Sequence, residues 1–243
     1  MNRVQRGLRR VVRRDAVDAA LDRVRLRLDL FPHHAYQPLP WLGLNSATRS
    51  DGSESRLTAI MPVLQRVGAR SAVDVGSNLG WFCLSLASAG IASVGVESSP
   101  PAYRTAILAT RASKLSNVAQ MIIEVGPDNV ELLPEADGTL VLSIWHHWVR
   151  AYGTAGADQI MEAIWQRTRK ALFFDTGELE MPASWGLPDM KPSAEEWIAQ
   201  YLERVCEGAT VEHLGLHAAF TPEGEPCMRN LFAAVRPGAE PGA

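Results

Sequence analysis

The sequence predicts an α/β fold built on a mainly parallel sheet with helices on both faces. Three observations carry this. From Ser71 onward, short apolar runs alternate with helical stretches in units of roughly 25 residues. The runs are nearly continuous in their apolar character, as strands covered on both faces are. The last two runs, Thr210–Leu216 and Leu231–Val235, have no long helix between them, so they pair antiparallel.

The elements follow in order. Residues 3–30 read as a helix, with Val4, Leu8, Val11 and Val12, then Val17, Leu21, Val24 and Leu28, at helical spacing. Phe31-Pro32 ends it. Residues 32–53, rich in Pro, Gly, Asn and Ser and containing Tyr36 and Trp41, read as a connecting lid. Glu54–Arg70 reads as a second helix, with Leu57, Ile60, Met61, Leu64 and Val67 on one face. Strands are expected at Ala72–Val75, Ala92–Val96, Ala119–Val125, Leu140–Ile144 and Ala171–Asp175, before the antiparallel pair. Helices are expected at Trp81–Ala89, Pro101–Lys114, Pro127–Leu133, Ala157–Thr168 and Ala194–Cys206. The chain thus divides into a basic helical arm and lid (1–53), one catalytic-sized domain (54–236) and a flexible tail (237–243).

Charge is unevenly spread. The formal net charge of the 243 residues is −3, yet residues 1–27 carry nine arginines against Asp15, Asp18 and Asp22. The rest is therefore acidic, and it shows no basic groove of the kind that binds nucleic acid. The basic arm suits peripheral contact of residues 1–30 with an anionic membrane surface; packing on the domain or on a partner is the plainer alternative. Cys83, Cys206 and Cys227 are far apart and form no zinc pattern, which fits a reducing cytoplasm. His213 and His217 stand four apart without a metalloprotease context, so no metal is expected. No apolar run approaches a membrane span, and the N-terminus lacks the apolar stretch of a secretory signal.

The most informative segment is Ser71-Ala-Val-Asp-Val-Gly-Ser-Asn-Leu-Gly-Trp-Phe. A strand enters a loop containing Gly76 and Gly80, and a helix follows. Glycine lets the chain turn and lets a ligand approach the backbone. The loop lacks the third glycine of a dinucleotide fingerprint and suits an amino-acid-bearing nucleoside better than a pyrophosphate. Asp74 is then a partner for an ammonium, directly or through water, while Gly76, Ser77, Asn78 and Gly80 lie along the amino-acid moiety. Glu97 ends the second strand about twenty residues beyond the loop, where a carboxylate accepts both ribose hydroxyls.

Val73-Asp-Val-Gly-Ser-Asn-Leu-Gly-Trp-Phe resembles the first cofactor motif of class I S-adenosyl-L-methionine (SAM)-dependent methyltransferases, and Glu97 resembles their ribose-binding acid. Those enzymes usually have Cys-Gly where this chain has Ser77-Asn78. The resemblance covers roughly residues 56–236. It implies a Rossmann-like seven-stranded sheet of order 3-2-1-4-5-7-6 with the last strand antiparallel, and SAM as cofactor. It also implies that the loop after the third strand faces the adenine, with Glu124 or Asp128 accepting its amino group and Val125 on the ring.

The fourth strand runs into Ser143-Ile-Trp-His-His-Trp148, beside the switch-point crevice where open α/β sheets bind ligands. Ser143 is expected to border the cofactor. Methylating a hydroxyl requires a group to take its proton, and a histidine suits that task. His146 is the first choice as general base and His147 the second. Trp145 and Trp148 are candidates to stack on acceptor or adenine, although large aromatics are more often core. Asp175 and Glu178, after the fifth strand, are expected to orient a histidine or bind acceptor hydroxyls. Arg56 is a candidate contact for an anionic group. The long loop 180–193 reads as an acceptor lid. The His-His pair with this glycine loop is similar to bacterial methyltransferases of sugars or phosphates on glycans. The reading is therefore O-methylation of a small-molecule or glycan acceptor. RNA or protein methylation and a non-catalytic SAM-binding scaffold stand as alternatives.

Overall fold

The computed structural model describes residues 37–43, 51–221 and 223–239. The helix expected over 3–30, and residues 32–36 and 44–50 of the expected connection, Tyr36 among them, lie outside the described residues. A 3-10 turn at Pro40–Leu42 precedes α1 (Asp51–Arg66). Then come β1 (Ser71–Val75), α2 (Trp81–Ser88), β2 (Ala92–Glu97), α3 (Pro100–Ser113), β3 (Val118–Ile122), β4 (Ala136–Leu142), α4 (Trp145–Arg167), β5 (Thr168–Asp175), α5 (Ala194–Val205), β6 (Thr210–Phe220) and β7 (Pro226–Val235).

The seven strands form one sheet in the order β3-β2-β1-β4-β5-β7-β6, as the family resemblance implies. β1 to β5 are parallel, and β7 runs antiparallel to both β5 and β6. The pleat sends alternate residues to opposite faces. Ala171 and Phe173 of β5 join Ile60 and Leu64 of α1 and Phe82 of α2 in one core. Leu172 and Phe174 join Ile160 and Ile164 of α4 and Ile198 of α5 in the other. Phe173 and Phe174 are fully buried, each worth about 1.5–3 kcal/mol of transfer free energy.

Three differences from the expected elements have local causes. β4 begins at Ala136 rather than Leu140, although Asp137 sits in it, because Asp137 is satisfied at the strand's start. Its carboxylate accepts from Arg70 N–H (2.7 Å) and its own N–H donates to Ser71 Oγ (3.0 Å). The helix expected at Pro127–Leu133 shrinks to a 3-10 turn at Val130–Leu132. Asn129 competes for the backbone there: its side chain accepts from Gly126 N–H and donates to Glu124 O, both at 2.8 Å. α4 starts at Trp145, twelve residues before the expected Ala157, and is interrupted at Gly153 (φ 70°, ψ 176°), a conformation available essentially to glycine alone. The His-His pair therefore stands on the first turn of a helix.

Residues 37–43 pack against the domain. Leu39 is fully buried with Leu79 and Leu84 and with Ala109 of α3. Gln37 Oε1 accepts the free N–H of Trp81 at the start of α2 (3.2 Å), satisfying one donor that a helix leaves unpaired.

Candidate active site

The carboxyl end of β1 bends sharply into its loop. Gly76 (φ 76°) and Gly80 (φ 80°) take left-handed conformations, and Asn78 does so with φ 52°. Gly76 N–H and Ser77 N–H both donate to Val96 O, tying the loop to β2. A Cβ on Gly76 would meet the Ile144 side chain at 3.1 Å. Gly95, beneath the loop, is packed so closely that a Cβ would strike Gln120 Oε1 and lie 2.9 Å from Ser77 Oγ.

Glu97 closes the bend. One carboxylate oxygen accepts from Asn78 N–H (2.8 Å) and the other from Ser99 N–H (2.7 Å). Each oxygen keeps further acceptor capacity. Asp74 lies on β1 with its carboxylate 3.7 Å from the Cys83 thiol. Burial raises its pKa to about 7; the Cys83 hydrogen bond opposes this and the charge of Glu97 adds to it. The Cys83 thiol is itself pushed well up by burial and by Asp74. Ser77 Oγ is buried without a hydrogen-bond partner among the described residues.

A cavity of about 110 Å³ opens beside this bend. Its walls include Gly76, Val96, Ile123 and Val125, with Glu124, His147, Trp148 and Tyr152 around it. The structure thus gathers Asp74, Gly76, Ser77, Asn78, Gly80 and Glu97 at one edge, with Glu124, His147 and Trp148 along the adjoining cavity. Asp128 is exposed and does not line the cavity. Tyr152, Ile123 and Ser98 line it without having been singled out from sequence. Tyr152 reaches it because the break at Gly153 ends the first stretch of α4, and its hydroxyl packs on Gly126.

The two histidines differ sharply. His146 is 4% exposed, and its Nδ1 accepts from Gly177 N–H (2.8 Å) with Thr176 Oγ1 at 3.2 Å. Its pKa is lowered well below the ordinary value by burial, then by His147 and Arg229. The nitrogen that a general base would use is thereby committed to the backbone. His147 is exposed at the rim, and among the described residues its ring forms no hydrogen bond. Partial burial, Arg150 and Arg229 lower its pKa as well. Trp185, from the 3-10 turn Ala183–Trp185 in the loop after β5, sits 5.7 Å from the His146 ring and 5.2 Å from that of His147, with Arg150 over its face. The loop read as an acceptor lid therefore contacts both imidazoles.

The remaining predicted residues occupy other places. Trp145, expected on the ligand, is a core residue instead: it is 1% exposed, donates Nε1–H to Tyr201 Oη (2.6 Å) and packs edge-on against Phe174. Arg56 and Asp175 are both buried and face each other as an ion pair (2.6 Å), so the Asp175 carboxylate is held by a cation and does not stand as a base. Asp175 Oδ1 also accepts from Ser143 N–H (2.7 Å) and Ser143 Oγ–H (2.8 Å), which holds Ser143 at φ 56° in this network rather than along the cavity. Arg229 extends the network, bonding Ser143 Oγ (3.2 Å), Glu180 Oε1 (2.7 Å) and Phe220 O (3.1 Å). Glu178 accepts from Asn230 N–H (2.6 Å) and Nδ2–H, and its pKa is raised, chiefly by burial. Arg229, Glu180 and Asn230 carried no motif; only their coincidence on β7 and the loop reveals them. His213 lies 3.4 Å from Glu195, and His217 bonds Ser55 Oγ (3.0 Å). Among the described residues no group of three or more His, Cys, Asp or Glu converges as a metal site, and no helix is long and apolar enough to cross a membrane.

Strand order, the glycine bend after β1 and the acidic end of β2 together define the fold of class I SAM-dependent methyltransferases. The bifunctional kinase-methyltransferase WbdD matches over 86% of this chain and 45% of its own, at 21% identity and a TM-score of 0.66. The magnesium protoporphyrin IX methyltransferase ChlM of Synechocystis PCC 6803, solved with bound SAM, matches over 76% of this chain and 82% of its own, at 17% identity and a TM-score of 0.52. The same enzyme with bound SAH gives a TM-score of 0.55 at 16% identity. The chain spans less than half the length of WbdD. No protein-family model and no curated protein matches the sequence.

Proposed function

We propose that this chain is a SAM-dependent methyltransferase that methylates an oxygen of a small-molecule or glycan acceptor, with His147 as general base. One observation carries the reading: a glycine-floored bend pinned by Glu97 adjoins a cavity whose rim holds an imidazole free of hydrogen bonds. The groups present fit the cofactor. Gly76 lines the cavity with bare backbone, Glu97 has acceptor capacity for hydroxyls, Asp74 suits a cation, and Val96, Ile123 and Val125 offer apolar walls to a flat ring. Glu124 and Tyr152, which line the same cavity, offer polar groups to that ring.

When bound, SAM supplies a methyl carbon activated by its sulfonium. The chain's task is to align an acceptor and take its proton. His147 suits this because it is neutral at physiological pH and its ring is uncommitted. His146 does not, because its Nδ1 is occupied by Gly177 N–H. ChlM with SAM and WbdD, both methyltransferases of this fold, support the cofactor assignment.

Calorimetry with SAM and with SAH tests the cofactor, and absence of binding to both sinks the proposal. A turnover screen over sugars, glycan fragments, phenols and RNA then tests the acceptor. His147→Ala is expected to lower turnover by about 10²–10⁴-fold while leaving SAM affinity within about twofold. Full activity in that variant removes His147 from the role. The arginine-rich residues 1–30, outside the described part, support peripheral membrane contact through charge alone. Liposome sedimentation with and without them decides; equal partitioning rejects it.

A further inference from the structure

His146 and His147 are adjacent on the first turn of α4, their ring centroids 4.5 Å apart, yet their hydrogen-bonding states are opposite. Gly177 N–H can only donate, so the His146 Nδ1 that receives it carries a lone pair. A neutral imidazole with that lone pair on Nδ1 holds its proton on Nε2. The Thr176 hydroxyl, at 3.2 Å from the same nitrogen, is compatible with this state as a second donor. Nε2 has no hydrogen-bond partner among the described residues, and it is not one of their buried unpaired atoms, so in a residue only 4% exposed it is an atom that reaches the surface. A fixed N–H donor that reaches the surface beside the free ring of His147 is open to an incoming acceptor oxygen. The surrounding charged and titratable groups are His147 and Arg150 on α4, Arg229 on β7, and Glu178 and Glu180 from the loop after β5. Arg229 faces the pair as a cation already engaged by Glu180, which disfavours a second positive charge on His146.

We infer that His146 presents Nε2–H to a second oxygen of the acceptor, beside the hydroxyl whose proton His147 removes. The two rings then read a donor and an acceptor on neighbouring atoms. This selects a 1,2-diol of the kind sugars carry over a simple alcohol, and Trp185, against both rings, supplies apolar surface beside it. The inference rests on the methyltransferase reading of this crevice and names its acceptor class.

Nitrogen-15 NMR of histidine-labelled full-length protein between pH 5.5 and 8 is the first test, with His146→Phe for assignment. The expected result is a ring locked as Nε2–H that does not titrate and vanishes in the variant. An Nδ1–H tautomer, or titration near 6.5, overturns the inference. The second test compares a 1,2-diol acceptor with its monodeoxy analogue. Wild type is expected to favour the diol by about tenfold in kcat/KM, as one well-placed hydrogen bond allows. His146→Phe should erase that preference, and His146→Gln, which keeps a donor, should restore part of it. Equal use of both acceptors by wild type overturns the inference. Calorimetry with SAM on the same samples separates the two ideas: no SAM binding overturns the methyltransferase function and the acceptor assignment with it, whereas SAM binding with the wrong tautomer overturns this inference alone.

Discussion

Burial holds the Asp74 carboxyl at a pKa of about 7 against an ordinary 3.8. Below pH ~4 the group is protonated whether the chain is folded or not. As pH rises toward 7 the unfolded carboxyl ionises freely while the folded one resists. The stability it contributes at low pH is therefore lost over that window, on the order of 4 kcal/mol. Asp74→Asn should flatten the fall of Tm between pH 4 and 7 relative to wild type, as read by calorimetry; parallel curves would show that Asp74 is not held neutral. A cationic ligand reverses the preference, so SAM affinity should rise between pH 6 and 8, with proton release detectable in buffers of different ionisation enthalpy. The acidic limb of turnover belongs to His147. The pKa of His147 is lowered from 6.5, so kcat should hold steady as pH falls to 6.5 and decline only beneath it. Glu97→Ala loses two charge-assisted anchors on the bend and should weaken SAM binding by ~2–4 kcal/mol. Asp74, the glycines and Glu97 were legible because backbone geometry forces those residue types at those spacings. The division of labour between His146 and His147 was not, since it depends on Gly177, thirty-one residues away from His146.

At the level of elements, α4 is the instructive case. Trp145, Trp148 and Val149 lie at helical spacing, but Gly153 and Gly156 interrupt the pattern, so the sequence reads as a loop followed by a helix. The chain resolves this by keeping both pieces helical and placing the break at Gly153, whose φ of 70° and ψ of 176° no L side chain accepts cheaply. Among the described residues nothing stands within 4 Å of a Cβ there, so Gly153→Ala tests strain alone. It should cost about 1–3 kcal/mol and lower Tm by roughly 2–4 °C per kcal/mol; an unchanged Tm would mean the break is not enforced. Parallel strands β1, β2 and β5 were easy to locate because both faces are buried. The start of β4 was hidden by Asp137, and β6 extends to Phe220, past its expected end at Leu216, because it stays paired with β7 as far as Phe220 opposite Pro226. α5 follows its signal closely: Ser193 caps it by accepting from Glu196 N–H (3.2 Å) in an S-x-x-E arrangement.

Across the whole molecule, a buried polar chain links α1, the ends of β4 and β5, β7 and the loop that carries Trp185: Arg56, Asp175, Ser143, Arg229 and Glu180 in turn. None of these contacts is local in sequence, which is why the arrangement could not be read there. Removing one partner of a buried ion pair strands the other, at about 3–5 kcal/mol. Arg56→Ala should therefore destabilise the fold by that order in urea titration, whereas Arg56→Ala with Asp175→Asn should recover part of the loss. Equal loss in both would deny the pairing. Gln37 and Leu39 also bind distant parts together, though they lie ahead of the stretch that resembles a methyltransferase. A domain trimmed to that stretch would begin with an open hole beside Leu79 and an uncapped Trp81, so anyone expressing the minimal domain should start the chain upstream of Gln37 or expect a loosened glycine bend.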